Sequence, residues 1–393
     1  MTEPPSNELP GNEDALRDRL QGLLRGLASK RMVHHAIVAI ERVDGSFRWA
    51  GSIGPATPGG PPMRADTPYF LASITKLHIA TVVMKLSETG LIDLDEPMTA
   101  YLPGELTRGL HEIDGVDRSG SISVMNLLGH TSGLPDYLEE LGHGGRSLVE
   151  EIVEDGDRAW DIDEVVRIVR EELTPHFPPQ APEEDRPRAR YSDTNYRLLV
   201  AVVEQVTGSP MHEVLEELIV RPLGLERTWL PGRSPRFGEA PEPAALWYRD
   251  RLLDIPIAMA SFGDLYSTVD DTLRFLRALL RGEIVDEATS LATMRSRWTR
   301  FGFPRDRVAL RTPGWPIEYG LGLMRFRFRL PRVRTPGGET PTLMGHSGST
   351  GSWLFHCPQL DLLLTGTVDQ ATAGAVPFRF LPRLLRAVGH ATV

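Results

Sequence analysis

The chain has 393 residues, 41% of them hydrophobic and 24% charged, enough for one large domain or two smaller ones around a sizeable core. Its net charge of −10 argues against a nucleic-acid partner, which calls for a basic face. The single cysteine, Cys357, rules out an intramolecular disulfide framework and fits a reducing compartment.

In chain order, residues 1–12 are polar, acidic and Pro-rich and read as disordered. They carry neither a basic n-region nor an apolar h-region, and no later window reaches the length of a membrane span. The sequence therefore reads as cytoplasmic, with no membrane partner. Leu16, Leu20, Leu23, Leu24 and Leu27 predict an amphipathic helix over 14–27. Residues 35–40 are an apolar strand, followed by the turn Asp44-Gly45 and a second strand at 47–49. A Gly/Pro-rich loop over 54–62 leads to Pro68-Tyr69-Phe70 and then to an apolar helix over 73–88. Helical periodicity returns at 160–173, 198–206 and 270–282, while 177–190 is rich in Pro and charge and reads as a loop. Strand patterns then appear at 320–324 and at Phe326, Phe328 and Leu330, which alternate with Arg325, Arg327 and Arg329. A Pro/Gly hairpin at 335–341, strands at 354–355 and 362–368 and a helix at 378–388 finish the chain. The arginine row reads as one solvated strand face. Strands at both ends with helices between predict a mixed α/β (α+β) fold. Residues 13–88 and 262–393 would form a sheet domain, and 89–261 an inserted, mainly helical one.

Three short segments carry candidate chemistry. The first is Ser73-Ile74-Thr75-Lys76. The i, i+3 spacing on a helix puts hydroxyl and amine on one face, and a serine becomes nucleophilic only when a neighbouring base takes its proton. Lys76 is one of three lysines, and neither Lys30 nor Lys85 has a serine three residues upstream. The second is Tyr191-Ser192-Asp193, before an apolar helix. Ser192 or Asp193 could simply cap that helix, or Tyr191 could point its phenol at the serine, and the two readings are compatible. The third is Gly345-His346-Ser347-Gly348-Ser349, a glycine-rich strand that another chain can approach closely.

Together, and in this order, these segments resemble the three-motif signature of the serine β-lactamase and penicillin-binding protein superfamily. The variant is that of class C β-lactamases and D-alanyl-D-alanine carboxypeptidases. The segment from Leu127 through His130-Thr131-Ser132-Gly133 to Tyr137 resembles another family stretch, as do Tyr266-Ser267-Thr268 and Tyr319-Gly320-Leu321-Gly322. The resemblance spans roughly residues 30–388. It implies a β-lactamase/transpeptidase-like fold, an antiparallel sheet flanked by helices, and an acyl-enzyme on Ser73. Lys76 and Tyr191 would share proton transfer, with the Lys76 ammonium favouring Tyr191 phenolate. The backbone N–H groups of Ser73 and Ser349 would form the oxyanion hole. Asp193, His346, Ser347 and Gly348 would face the substrate.

Three features depart from the pattern. Asp193 stands where the family usually has asparagine, and it would hold Lys76 protonated without offering a donor to a substrate amide. His346 replaces lysine and weakens a fixed positive charge at neutral pH. The charged loop 178–190 would reshape one wall of the cleft. The expected protein is a serine hydrolase on a small ester or amide, esterase-like or D-amino-acid peptidase-like. β-Lactamase or acyltransferase activity at the same site is the alternative, as is a non-catalytic penicillin-recognising or ligand-sensing protein. No cofactor or metal is expected: His34-His35 and His212-Glu213 lack further ligands at metal spacing, and no phosphate-cradling Gly-x-x-x-x-Gly-Lys occurs. Gly129-His130-Thr131-Ser132-Gly133 has threonine where a nucleophile elbow needs serine.

Overall fold

The computed structural model describes residues 10–181, 183–234, 241–301, 317–328, 335 and 338–389. Its first helix, α1 (Pro10–Ala28), begins four residues before the predicted start. Proline suits the first helical position and Glu13 lies in the first turn, so residues 10–12 are helical and not disordered as their composition suggests. Residues 1–9 lie outside the described residues.

Eight strands make one antiparallel sheet: β1 (Ala36–Arg42), β2 (Arg48–Ile53), β3 (Thr299–Phe301), β4 (Ile317–Tyr319), β5 (Met324–Arg327), β6 (Thr342–Ser347), β7 (Trp353–Cys357) and β8 (Leu362–Thr367). Their order is β2-β1-β8-β7-β6-β5-β4-β3, so the two ends of the chain meet at the β1–β8 pair. The elements between β2 and β3 that matter below are helices: α2 (Thr75–Glu88), α3 (Val124–Leu128), α4 (Leu148–Asp155), α5 (Ile162–Glu171), α6 (Asp193–Thr207), α7 (Pro256–Phe262) and α8 (Val269–Leu280). A last helix, α9 (Val376–Gly389), follows β8.

Period-two alternation divides each strand between two apolar layers. Ala36, Val38 and Ile40 of β1 pack with Leu16, Leu20, Leu24 and Leu27 of α1 and with Phe380, Leu381 and Leu384 of α9. Ile37 and Ala39 face the other way, onto the layer that holds α2, α6 and α8. The site lies on that second side.

Two sequence expectations shift. Residues 320–323 are a turn between β4 and β5, not a strand, and Gly322 takes φ +77° there. A Cβ on Gly322 would come within 2.2 Å of the Ala80 side chain, so only glycine lets this turn lie against α2. The arginine row is not uniformly solvated. Arg325 is half-buried, donates to Glu318 at 2.8 Å and stacks on Trp298, while Arg327 is exposed. Arg329, Leu330 and part of the expected hairpin at 335–341 lie outside the described residues. Among the described residues no helix is long and apolar enough to cross a membrane.

Candidate active site

Ser73 sits in a single 3-10 turn, Ala72–Ile74, that runs directly into α2. Ala72 takes φ +49°, a region that residues with a side chain enter rarely. A distant segment holds it there. Tyr69 and Phe70 pair with Ser267 and Tyr266, Leu71 N donates to Leu265 O at 2.9 Å, and Leu265 N donates to Thr75 Oγ1 at 2.9 Å. The Tyr266-Ser267 motif thus braces the turn that carries Ser73 from almost two hundred residues away.

Lys76 follows one turn later, where its Nζ donates to Ser73 Oγ at 3.2 Å and pairs with Asp193. Its side chain is only 4% exposed. Burial works against the ammonium, but Asp193, with Tyr191 and Asp264 behind it, outweighs burial and holds the Lys76 pKa well above its ordinary value. Tyr191 completes the group, and Lys76 Nζ lies 5.1 Å from the centre of its ring. Burial pushes the phenol well above its usual range, against the pull of Lys76 and of hydrogen bonding from Lys76 and Ser73. The expected phenolate is therefore not the resting form. Desolvation exceeds the attraction of the ammonium, and the resting pair is phenol and ammonium.

The second motif is positioned by the segment around His130. Ser192 Oγ and Thr194 Oγ1 donate to Pro135 O at 2.8 and 2.6 Å. Ser192 occupies the N-cap position of α6, yet its hydroxyl makes no capping bond. Asp193 N donates instead to Asp136 Oδ2 at 3.2 Å, so a carboxyl oxygen from another segment serves the helix start. His130 Nδ1 accepts from Ser192 N at 3.2 Å and Asn195 Nδ2 at 3.0 Å, and its ring packs on Tyr191 at 4.4 Å between centroids. Burial, with Lys76 and His346 nearby, keeps this imidazole neutral by lowering its pKa well below the usual histidine value.

The third motif closes the other side. Gly348 N donates to Ser352 O and Gly351 N to Gly348 O, a tight turn that leaves Ser349 exposed at its apex. Ser352 Oγ donates to Leu71 O at 2.8 Å and ties this turn to the approach of Ser73. A Cβ on Gly348 would stand 2.7 Å from Leu71 O and 2.9 Å from Ala72 Cβ, so glycine is what lets the strand come so close. Ser73, Tyr191, Asp193, Ser347, Gly348 and Ser349 all line one cavity of about 580 Å³.

His346 is a correction. It does not face the cavity but is fully buried behind it. Its Nδ1 lies 2.8 Å from Ser347 O, and a carbonyl can only accept, so Nδ1 carries the proton. Nε2 then accepts from Tyr319 Oη at 3.0 Å. Burial, with the Lys76 charge, lowers its pKa to about 3, so the ring is neutral. A lysine-like role toward a substrate carboxylate is thereby lost.

Sequence reasoning missed Asp136, Glu139 and Asp264, which line the same cavity. Burial, then Asp193 and Glu139, holds the Asp136 carboxyl well above the usual range; burial raises Asp264 to about 6. Asp136 belongs to the segment recognised before its role was visible, whereas nothing local marked Asp264. A buried lysine bonded to a serine hydroxyl, beside a phenol and a turn able to present backbone N–H groups, is an arrangement suited to serine acyl transfer.

The chain belongs to the Beta-lactamase family, whose profile matches residues 24–377. It is 30% identical over 287 residues to the esterase EstB of Burkholderia gladioli, covering 66% of this chain and 68% of that protein. Penicillin-binding protein 4 of Amycolatopsis lactamdurans is 26% identical over 249 residues, and the match spans 60% of this chain but only 57% of that relative. Among solved structures, a D-stereospecific amidohydrolase from Streptomyces sp. superposes with a TM-score of 0.66 at 26% identity, over 93% of this chain and 97% of the other. The fold is the β-lactamase/transpeptidase-like one, and the chain is a serine hydrolase.

Proposed function

We propose that the protein hydrolyses a small ester or amide through an acyl-Ser73 intermediate, with esterase-like or amidase-like chemistry preferred to β-lactam hydrolysis. The observation that carries this reading is the 3.2 Å contact between Lys76 Nζ and the hydroxyl of Ser73, a residue that lines the cavity together with Tyr191. Ser73 Oγ attacks the substrate carbonyl carbon and the bond to the leaving alcohol or amine breaks. Across that step the serine proton passes to the Tyr191 oxygen while Tyr191 hands its own proton to the leaving group. The Lys76 ammonium offsets the charge on the phenol oxygen in transit. The amides of Ser73 and Ser349 take up the negative charge on the carbonyl oxygen. Water then attacks the acyl ester by the reverse route and frees Ser73.

Two observations weigh against β-lactams and other carboxylate-bearing substrates: His346 is neutral and buried, and Asp193 adds negative charge. The esterase and the D-stereospecific amidohydrolase among the relatives support an ester or amide in their place. An active-site-directed fluorophosphonate should add to Ser73 as a single mass adduct, and p-nitrophenyl esters should turn over faster than a chromogenic cephalosporin. No adduct on Ser73 would defeat the reading.

A further inference from the structure

The charged groups that line the cavity do not balance. Asp193 is matched by Lys76, which lies beneath the cavity wall and does not line it, and Arg190 donates to Glu140 at 2.9 Å from Nε, with Nη2 at 2.8 Å. Asp136, Glu139 and Asp264 line the same cavity and form no ion pair with a described cation; burial and its acidic neighbours favour the neutral form of Asp136, so the unmatched charge falls to Glu139 and Asp264. Asp136 at least has backbone donors, from Asp193, Leu138 and Glu139. The Glu139 side chain makes no hydrogen bond or ion pair with a described residue, and it is exposed to the cleft. Desolvation and the neighbouring Asp193 raise its pKa above the ordinary value, so an incoming cation would relieve an existing repulsion.

A second observation points to a ligand. Thr350 Oγ1 is buried, its residue only 4% exposed, and has no hydrogen-bond partner among the described residues; Thr350 lines this cavity beside Ser349. A buried hydroxyl without a partner is costly unless a ligand completes it. The remaining wall is apolar, through Leu138, Ile152, Leu246, Leu253, Ile255 and Phe262.

We infer that the substrate is a cationic ester or amide, an ammonium-bearing acyl compound with an apolar side chain such as an aminoacyl ester or amide, and that Glu139 is the residue that selects the ammonium. This rests on the serine-hydrolase reading above. Electrostatic selection of this kind works through complementarity: a site with surplus carboxylates favours cations and rejects anions. The neutral His346 removes the cation that would otherwise welcome a carboxylate.

The test uses phenylalanine amide and phenylalanine methyl ester, both enantiomers, each with a free amine and with an N-acetyl cap. The free amines should exceed the capped compounds in kcat/KM by roughly tenfold or more, the scale expected for a partly desolvated charge pair. Glu139→Gln should shrink that ratio to within about threefold, mainly through KM. The same compounds are also assayed as protectants against fluorophosphonate labelling of Ser73, so the comparison stands whether or not they turn over. Equal or better use of, and protection by, the capped compounds would overturn the inference, as would a ratio unmoved by Glu139→Gln. Labelling at Ser73 separates the two claims. Its absence defeats the hydrolase reading, whereas normal labelling without amine preference defeats only the substrate class.

Discussion

The two walls of the cavity deal with burial in opposite ways. On the helix wall Lys76 keeps its charge, because Asp193 meets it directly and outweighs desolvation. Behind the strand wall His346 is as deeply buried but meets only a phenol oxygen and a backbone carbonyl, and it stays neutral. A buried ionisable group holds its charge only where a counter-charge replaces the water it has lost. One partner 117 residues away in sequence thus decides that the Ser73 side of the site is ionic and the strand side is not.

Ser73→Ala should give the largest effect, because it removes the group on which the charged wall acts. Covalent labelling and turnover should vanish, with the thermal midpoint nearly unchanged because the exchanged group is one hydroxyl. Labelling that persists at another serine would sink the assignment.

Tyr191→Phe comes next. It leaves the Lys76–Asp193 pair in place and removes only the proton relay, so kcat/KM should fall by roughly 10²–10⁴. A loss below about tenfold would make Lys76 the sole base and end the account of a shared proton.

The neutral side is sharpened by pH. Burial lowers the pKa of His346 to about 3 and of His78, stacked on Phe275 away from the cavity, to about 4. Unfolded histidine binds its proton near pH 6.5, so between that value and the folded pKa the unfolded state holds more protons. The stability is present above about pH 6.5 and is lost as the pH falls. Urea unfolding at pH 7 and pH 5 should differ by roughly 2 kcal/mol per such histidine. His78→Phe keeps an aromatic stack and should remove one share; an unchanged pH dependence would mean that His78 is not neutral in the fold.

The smallest expected effect sharpens the comparison most. Asp193→Asn keeps the shape of the charged wall and deletes its negative charge, which relaxes the hold on the Lys76 proton and adds a donor for a substrate amide. The ratio of amide to ester turnover should rise about two- to tenfold, the worth of one hydrogen bond. A flat ratio would mean that Asp193 acts only as the partner of Lys76.

Much of this was legible in the residues themselves. The Ser73–Lys76 spacing is a local property of a helix, so it marked a hydroxyl and an amine that meet at 3.2 Å without any knowledge of the fold. A continuous apolar run located β1 and helical periodicity located α6 and α8, because those patterns record which positions are buried. The start of α1 was missed because residues 10–12 read as part of a polar tail, whereas cap position and dipole decide a helix end. The orientation of His346 was not legible either. A strand position has two faces, and the Tyr319 oxygen that claims its ring comes from β4, two strands across the sheet. Nor was the brace on Ala72, since Leu265 carries no side-chain signal for a bond made by its backbone. Sequence by itself determined which groups could do chemistry. Tertiary structure decided which of them are charged, because charge in a buried site depends on partners that only folding brings within reach.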